Sequence, residues 1–126
     1  MATSKKLYFL NKSRGKLLAS EANVADNFLT RLIGLLNTPS LVEGQGLYIT
    51  ACSQIHMFGM KYAIDVVFLD KQNRVVGLCD SIKPGQMSKL FLKAQACLEL
   101  PPGIIRSTAT TEGDEIEFAA APYKAD

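Results

Sequence analysis

The sequence predicts a mainly β domain of the α+β class: a small antiparallel β-barrel or two packed sheets, with one amphipathic helix near residues 24–35. Three observations carry this. Roughly seven short β-branched or aromatic runs are separated by polar or Gly/Pro turns, the pattern of a small all-β core. A single stretch, Val24 to Leu35, repeats its apolar residues at clear helical spacing. The chain has 126 residues, 48% hydrophobic and 21% charged, which is enough to bury one core without disulfide staples.

The elements follow in order. Lys5 to Leu10 and Lys16 to Ala22 read as strands, joined by Asn11 to Gly15 (NKSRG) with hairpin-turn chemistry and solvated basic residues. Asn23 offers a helix N-cap, with Asp26 three residues on. Val24, Phe28 and Leu32, and Leu29, Ile33 and Leu36, then recur on a helix that Pro39 does not let run far. Arg31 falls near its C-terminus, where a cation suits the helix dipole. Leu41 to Gly46 is a Gly-rich turn, and Leu47 to Thr50 a short strand. Ile64 to Leu69 (IDVVFL) has the composition of a strand buried on both faces. The polar loop Asp70 to Asn73 pairs it antiparallel with Arg74 to Cys79. Ser81 to Leu92 turns at Pro84-Gly85 and mixes Lys83 and Lys89, with Lys93 just beyond, among exposed-looking Met87, Leu90 and Phe91. Gln95 to Leu100 is a further strand, ended by Pro101-Pro102-Gly103. Ile104 to Ala109 makes a weak turn of helix, and Glu115 to Ala119 a last strand with one wet face. Residues 5–119 thus form a single domain and 120–126 a flexible tail.

Within the central strand, Asp65 shares a face with Val67 and Leu69, while Ile64, Val66 and Phe68 share the other. A carboxylate in an apolar strand is costly unless donors meet it. It is therefore either a structural acceptor or the floor of a cleft. Just upstream lie the only histidine, His56, with Met57, Met60 and Lys61, the last a possible local partner for Asp65.

The run IHMFGMKYAIDVVFLD, followed by NRVVGL, IKPGQ, CLELPPG and EGDEIEF, resembles the prokaryotic family known as domain of unknown function 192, as does the upstream TRLIGLL. The likeness spans Leu17 to Phe118. Where that family often reads Phe-Trp-Met-Lys-Asn-Thr, this chain has a His-Met-Phe-Gly-Met form, and Ile33 stands where many members carry a second Arg. The resemblance implies a compact, mostly antiparallel β domain and no established activity.

Several function classes fall away. A net charge of +2 without clustered Lys and Arg argues against a dedicated nucleic-acid binder. No run reaches the roughly 18 apolar residues of a membrane span. The N-terminal apolar stretch is too short for a signal peptide, so a cytoplasmic protein is expected. The three cysteines, Cys52, Cys79 and Cys97, are odd in number and widely spaced, which points to reduced thiols. No phosphate-binding glycine motif occurs. Cys52, His56, Met57 and Met60 are soft or borderline ligands, but there is no second His and Met in an apolar loop is more often core filling, so no metal or cofactor is expected.

The favoured function is non-catalytic binding of a small ligand or protein partner in a cleft of Arg31, His56, Met60, Lys61, Asp65 and Glu99. One alternative is a hydrolase or proton-transfer enzyme using His56 with Asp65 and Glu99 as a split carboxylate pair, or a thiol such as Cys52 or Cys97 as nucleophile. Another is a structural or assembly module with no ligand.

Overall fold

A computed structural model describes residues 5–26 and 40–124. Seven strands form one continuous curled sheet: β1 (Leu7–Asn11), β2 (Lys16–Ala25), β3 (Gln45–Thr50), β4 (Ile64–Leu69), β5 (Val75–Ile82), β6 (Ala96–Leu100) and β7 (Ile116–Ala120). Their order across the sheet is β5-β4-β6-β3-β2-β1-β7. Among the described residues there is one helix, the five-residue α1 (Ile104–Thr108). None is long and apolar enough to cross a membrane, which says nothing of strands.

The architecture is thus mainly β with a little helix, as the sequence predicts, but it is one half-barrel and not two sheets. It is also mixed rather than wholly antiparallel, because β2 and β3 pair in parallel from Glu21↔Gln45 to Ala25↔Ile49. A parallel pair needs a crossover, not a hairpin, and residues 26–44 supply it. The helix expected near residues 24–35 needs one correction. Val24 and Ala25 belong to β2, where Ala25 is buried, because pairing with β3 extends that strand past Ala22. Asp26 forms a bend after the strand, and residues 27–35 of that expected helix, with Arg31, lie outside the described residues.

The curl follows from contacts between the two outermost strands. At one end the chain before β5 meets the chain before β7: Arg74 bridges Glu115, Val75 N–H donates to the Asp114 carbonyl at 2.9 Å, and Gly113 N–H donates to the Val75 carbonyl at 2.8 Å. Closing this end removes exposed sheet edge there. The core then divides by strand face. Phe9, Leu18, Val67, Leu69, Leu98, Leu100, Ile105 and Ile116 fill the inside of the curl. Ile49, Val66, Phe68 and Cys97 point outward and are covered by Ile55, Met57 and Met60 from the loop before β4. β4 is therefore buried at all six positions, which is why it lacks polar alternation.

Candidate functional site

Asp65 sits inside the curl, fully buried, opposite Leu100 of β6. Its carboxylate accepts three backbone N–H bonds. Oδ1 takes Ser81 at 2.8 Å; Oδ2 takes Gly103 at 3.1 Å and Ile105 at 2.8 Å. The last two are donors left over at the start of α1, which no side chain within the helix caps. Ser81 adopts a left-handed φ of 57° where the β4–β5 register slips between Ile64 and Val66, and this turns its N–H toward Asp65. Burial pushes the Asp65 carboxyl above its usual range, the amide bonds from Ile105, Ser81 and Gly103 draw it back, and nearby Asp80 adds to the rise. Chemically this is an anchor: one carboxylate ties β4, the end of β5 and α1 together.

Glu99 lies one position before Leu100 on β6 and is also fully buried, but it pairs with Val66 on one side and Leu47 on the other. Both neighbours belong to the outward-facing cluster. Asp65 and Glu99 therefore occupy opposite faces of the sheet and do not form a carboxylate pair. The loop bearing His56 packs Ile55, Met57 and Met60 on the Glu99 side, so His56 and Asp65 do not share a cleft either. Met60 is a core side chain at 7% exposure. Lys61 is exposed while Asp65 is sealed, and the bonds to Asp65 come from backbone amides. Arg31 lies outside the described residues.

His56 is half-buried. Its ring stacks on Phe58 with centroids 4.8 Å apart, and its backbone bridges Met87. Around it, residues 53–57 run antiparallel to residues 86–91. Met57 N–H donates to Gln86 (2.8 Å), Ser88 N–H to Ile55 (2.8 Å) and Phe91 N–H to Ser53 (2.9 Å). Phe91 fastens this loop pair to the sheet, its ring 4.5 Å from that of Phe68 and above Gly77, where a Cβ would stand 2.3 Å from the Phe91 ring. Phe91, expected to be exposed, is half-buried for that reason. Met87 and Leu90 are exposed at 57% and 55%, joined by Phe58 at 52% and Leu92 at 83%.

Two features escaped the sequence. Cys97 Sγ lies 3.4 Å from Cys52 Sγ; the antiparallel pairing of Ile49 with Cys97 places them together, and the β3–β6 pairing was not readable in advance. At the closed end of the curl, Asp114 accepts from Asn11 Nδ2 (3.0 Å), Arg14 Nε (3.1 Å) and Thr111 N–H (3.0 Å). Burial raises the Asp114 carboxyl, but these bonds and the Arg14 charge outweigh it and hold the group below its usual range. Arg14, expected to be solvated in its hairpin, is thus partly engaged. Among the described residues no three His, Cys, Asp or Glu side chains gather where a metal would bind.

A curled seven-strand sheet closed at one end, with a buried aspartate pinning a short helix at the other, defines a class of small β half-barrels. The chain belongs to the DUF192 family, described as an uncharacterized ACR, whose profile matches residues 9–118. It is 32% identical to a UPF0127 protein of Thermococcus sibiricus over 113 residues, covering 86% of this chain and 73% of that one. It is 33% identical to a UPF0127 protein of Pyrococcus furiosus over 112 residues, covering 86% and 96%. A crystal structure of a protein of unknown function from Novosphingobium aromaticivorans superposes with a TM-score of 0.74 over 89% of this chain and 83% of that one; at 16% identity it shows the shared fold.

Proposed function

We propose that this chain is a non-catalytic binding module that docks a protein partner through the paired loops around His56. The observation that supports this reading is four exposed apolar side chains, Phe58, Met87, Leu90 and Leu92, carried on two hydrogen-bonded loops. Exposed Lys61, Lys83, Lys89 and Lys93 come from the same loops. Several exposed apolar side chains on one loop pair, with charged residues among them, suit an interaction surface. The basic rim selects an acidic partner surface, mainly through encounter rate and specificity. Asp65 serves this module by holding the scaffold rather than by touching the partner. The odd, widely spaced cysteines suit a reducing compartment, so we place the module in the cytoplasm.

The test is quantitative capture from a lysate of the source organism at low and high salt. It compares the wild type, Met87→Ser with Leu92→Ser, Lys89→Glu with Lys93→Glu, and Leu17→Ser as a change elsewhere on the surface. A stoichiometric acidic protein that both loop variants lose, that high salt weakens and that Leu17→Ser keeps is the expected result. Retention of every captured protein by both loop variants overturns the reading. So does binding to anionic vesicles with no protein partner.

A further inference from the structure

The outward face of the sheet holds a pair of thiols that the binding function does not use. Cys97 is fully buried on the central strand β6. Its S–H donates to Cys52 Sγ at 3.4 Å, and the Cys52 S–H in turn contacts the Gln54 carbonyl at 3.3 Å. Cys52 is half-buried and lines a cavity of about 220 Å³ with Ser53, Gln54 and Leu90. The chain leaves β3 through Ala51, whose φ of 52° is left-handed, and this turn brings Cys52 back beside the β3–β6 pair. The two sulfurs are thus unequal in a useful way: one borders a solvent-connected cavity, and the other waits directly behind it.

We propose that Cys52 and Cys97 are a redox-responsive dithiol, oxidised by a small hydroperoxide that enters the cavity at Cys52. The Cys52 thiolate attacks the outer oxygen of the O–O bond. That bond breaks, the alkoxide leaves and takes up a proton as an alcohol or water, and Cys52 becomes a sulfenic acid. The Cys97 sulfur then attacks the Cys52 sulfur, the S–O bond breaks, and the hydroxyl leaves as water with the Cys97 proton. The sum is two thiols and one hydroperoxide giving one disulfide, one alcohol and one water. Closing 3.4 Å to a bond of about 2.0 Å requires rotation of Cys52, which sits on a loop, while Cys97 stays on its strand. Cys79 is the internal control. It shares this face through its pairing with Val66, but β4 separates it from β6, roughly 10 Å away at two strand spacings. Burial and the Asp65 charge also push its thiol up, which leaves it less thiolate.

The experiment treats the intact chain with hydrogen peroxide under native conditions, blocks remaining thiols with an alkylating agent, and maps peptides by mass spectrometry. The expected result is a Cys52–Cys97 linked peptide, lost on reduction, with Cys79 alkylated. In Cys97→Ala, checked for a native circular dichroism spectrum, the link is absent and a dimedone adduct accumulates on Cys52. Alkylation of all three cysteines after excess peroxide overturns the proposal, as does a link through Cys79 or adduct formation on Cys97 before Cys52.

Discussion

Replacing Asp65 with Asn tests the scaffold most sharply, because it changes donors and acceptors while keeping the shape. The carboxylate accepts Ser81 N–H on one oxygen and Gly103 and Ile105 N–H on the other. An amide offers one acceptor oxygen and turns an N–H₂ group toward whatever stands opposite. The better orientation keeps Gly103 and Ile105 and leaves Ser81 N–H facing another donor; the other leaves two amides unsatisfied. One buried unsatisfied group costs about 1–3 kcal/mol, so Asp65→Asn should lose about that much. Asp65→Ala orphans all three donors, at about 1–3 kcal/mol each, and leaves a small cavity, so it should lose at least about 3 kcal/mol. Against a typical total of about 5–15 kcal/mol, the alanine variant stands near the edge of folding. Urea titration followed by far-ultraviolet circular dichroism measures both, with the slope checked for constancy. Amide exchange at Ser81, which loses its acceptor, should quicken in Asp65→Asn more than exchange in β1. Stability of Asp65→Asn equal to wild type, or an alanine variant no worse than the asparagine one, refutes the anchoring role.

Other expected outcomes follow from the same packing. Gly77→Val places side-chain atoms where the Phe91 ring already stands, with the Cβ alone 2.3 Å from it; this overpacking should cost about 1–3 kcal/mol by urea titration, and Phe91→Ala in the same chain should recover part of it. Asp114 is held below its usual pKa, so its contribution is present above the unfolded-state pKa and is lost as pH falls through the folded value. Asp114→Asn should accordingly cost about 1–3 kcal/mol near neutrality and progressively less on acidification; a penalty that does not change with pH would contradict the assignment.

Much of the fold was readable because strands announce themselves locally. Ile64–Leu69 came out at its true bounds, since six buried residues leave a run that no turn residue interrupts. Pairing is another matter. The parallel β2–β3 contact depends on where a long crossover returns, and nothing in LVEGQG or KLLASEA encodes that address. The candidate site shows the same divide. Period-two alternation correctly assigned Asp65 to the face of Val67 and Leu69, and Glu99 to the face of Cys97. Whether those two faces look into one cleft depends on register across strands. With Leu100 opposite Asp65, the two carboxylates necessarily point apart. A shift of one residue between β4 and β6 would have put them side by side. The donors for Asp65 were equally invisible, because they are backbone amides of Ser81, Gly103 and Ile105 and carry no side-chain signature. Short motifs after strands, such as CLELPPG, are therefore best read for the N–H groups they release at a helix start, since here those groups decide what the buried carboxylate does.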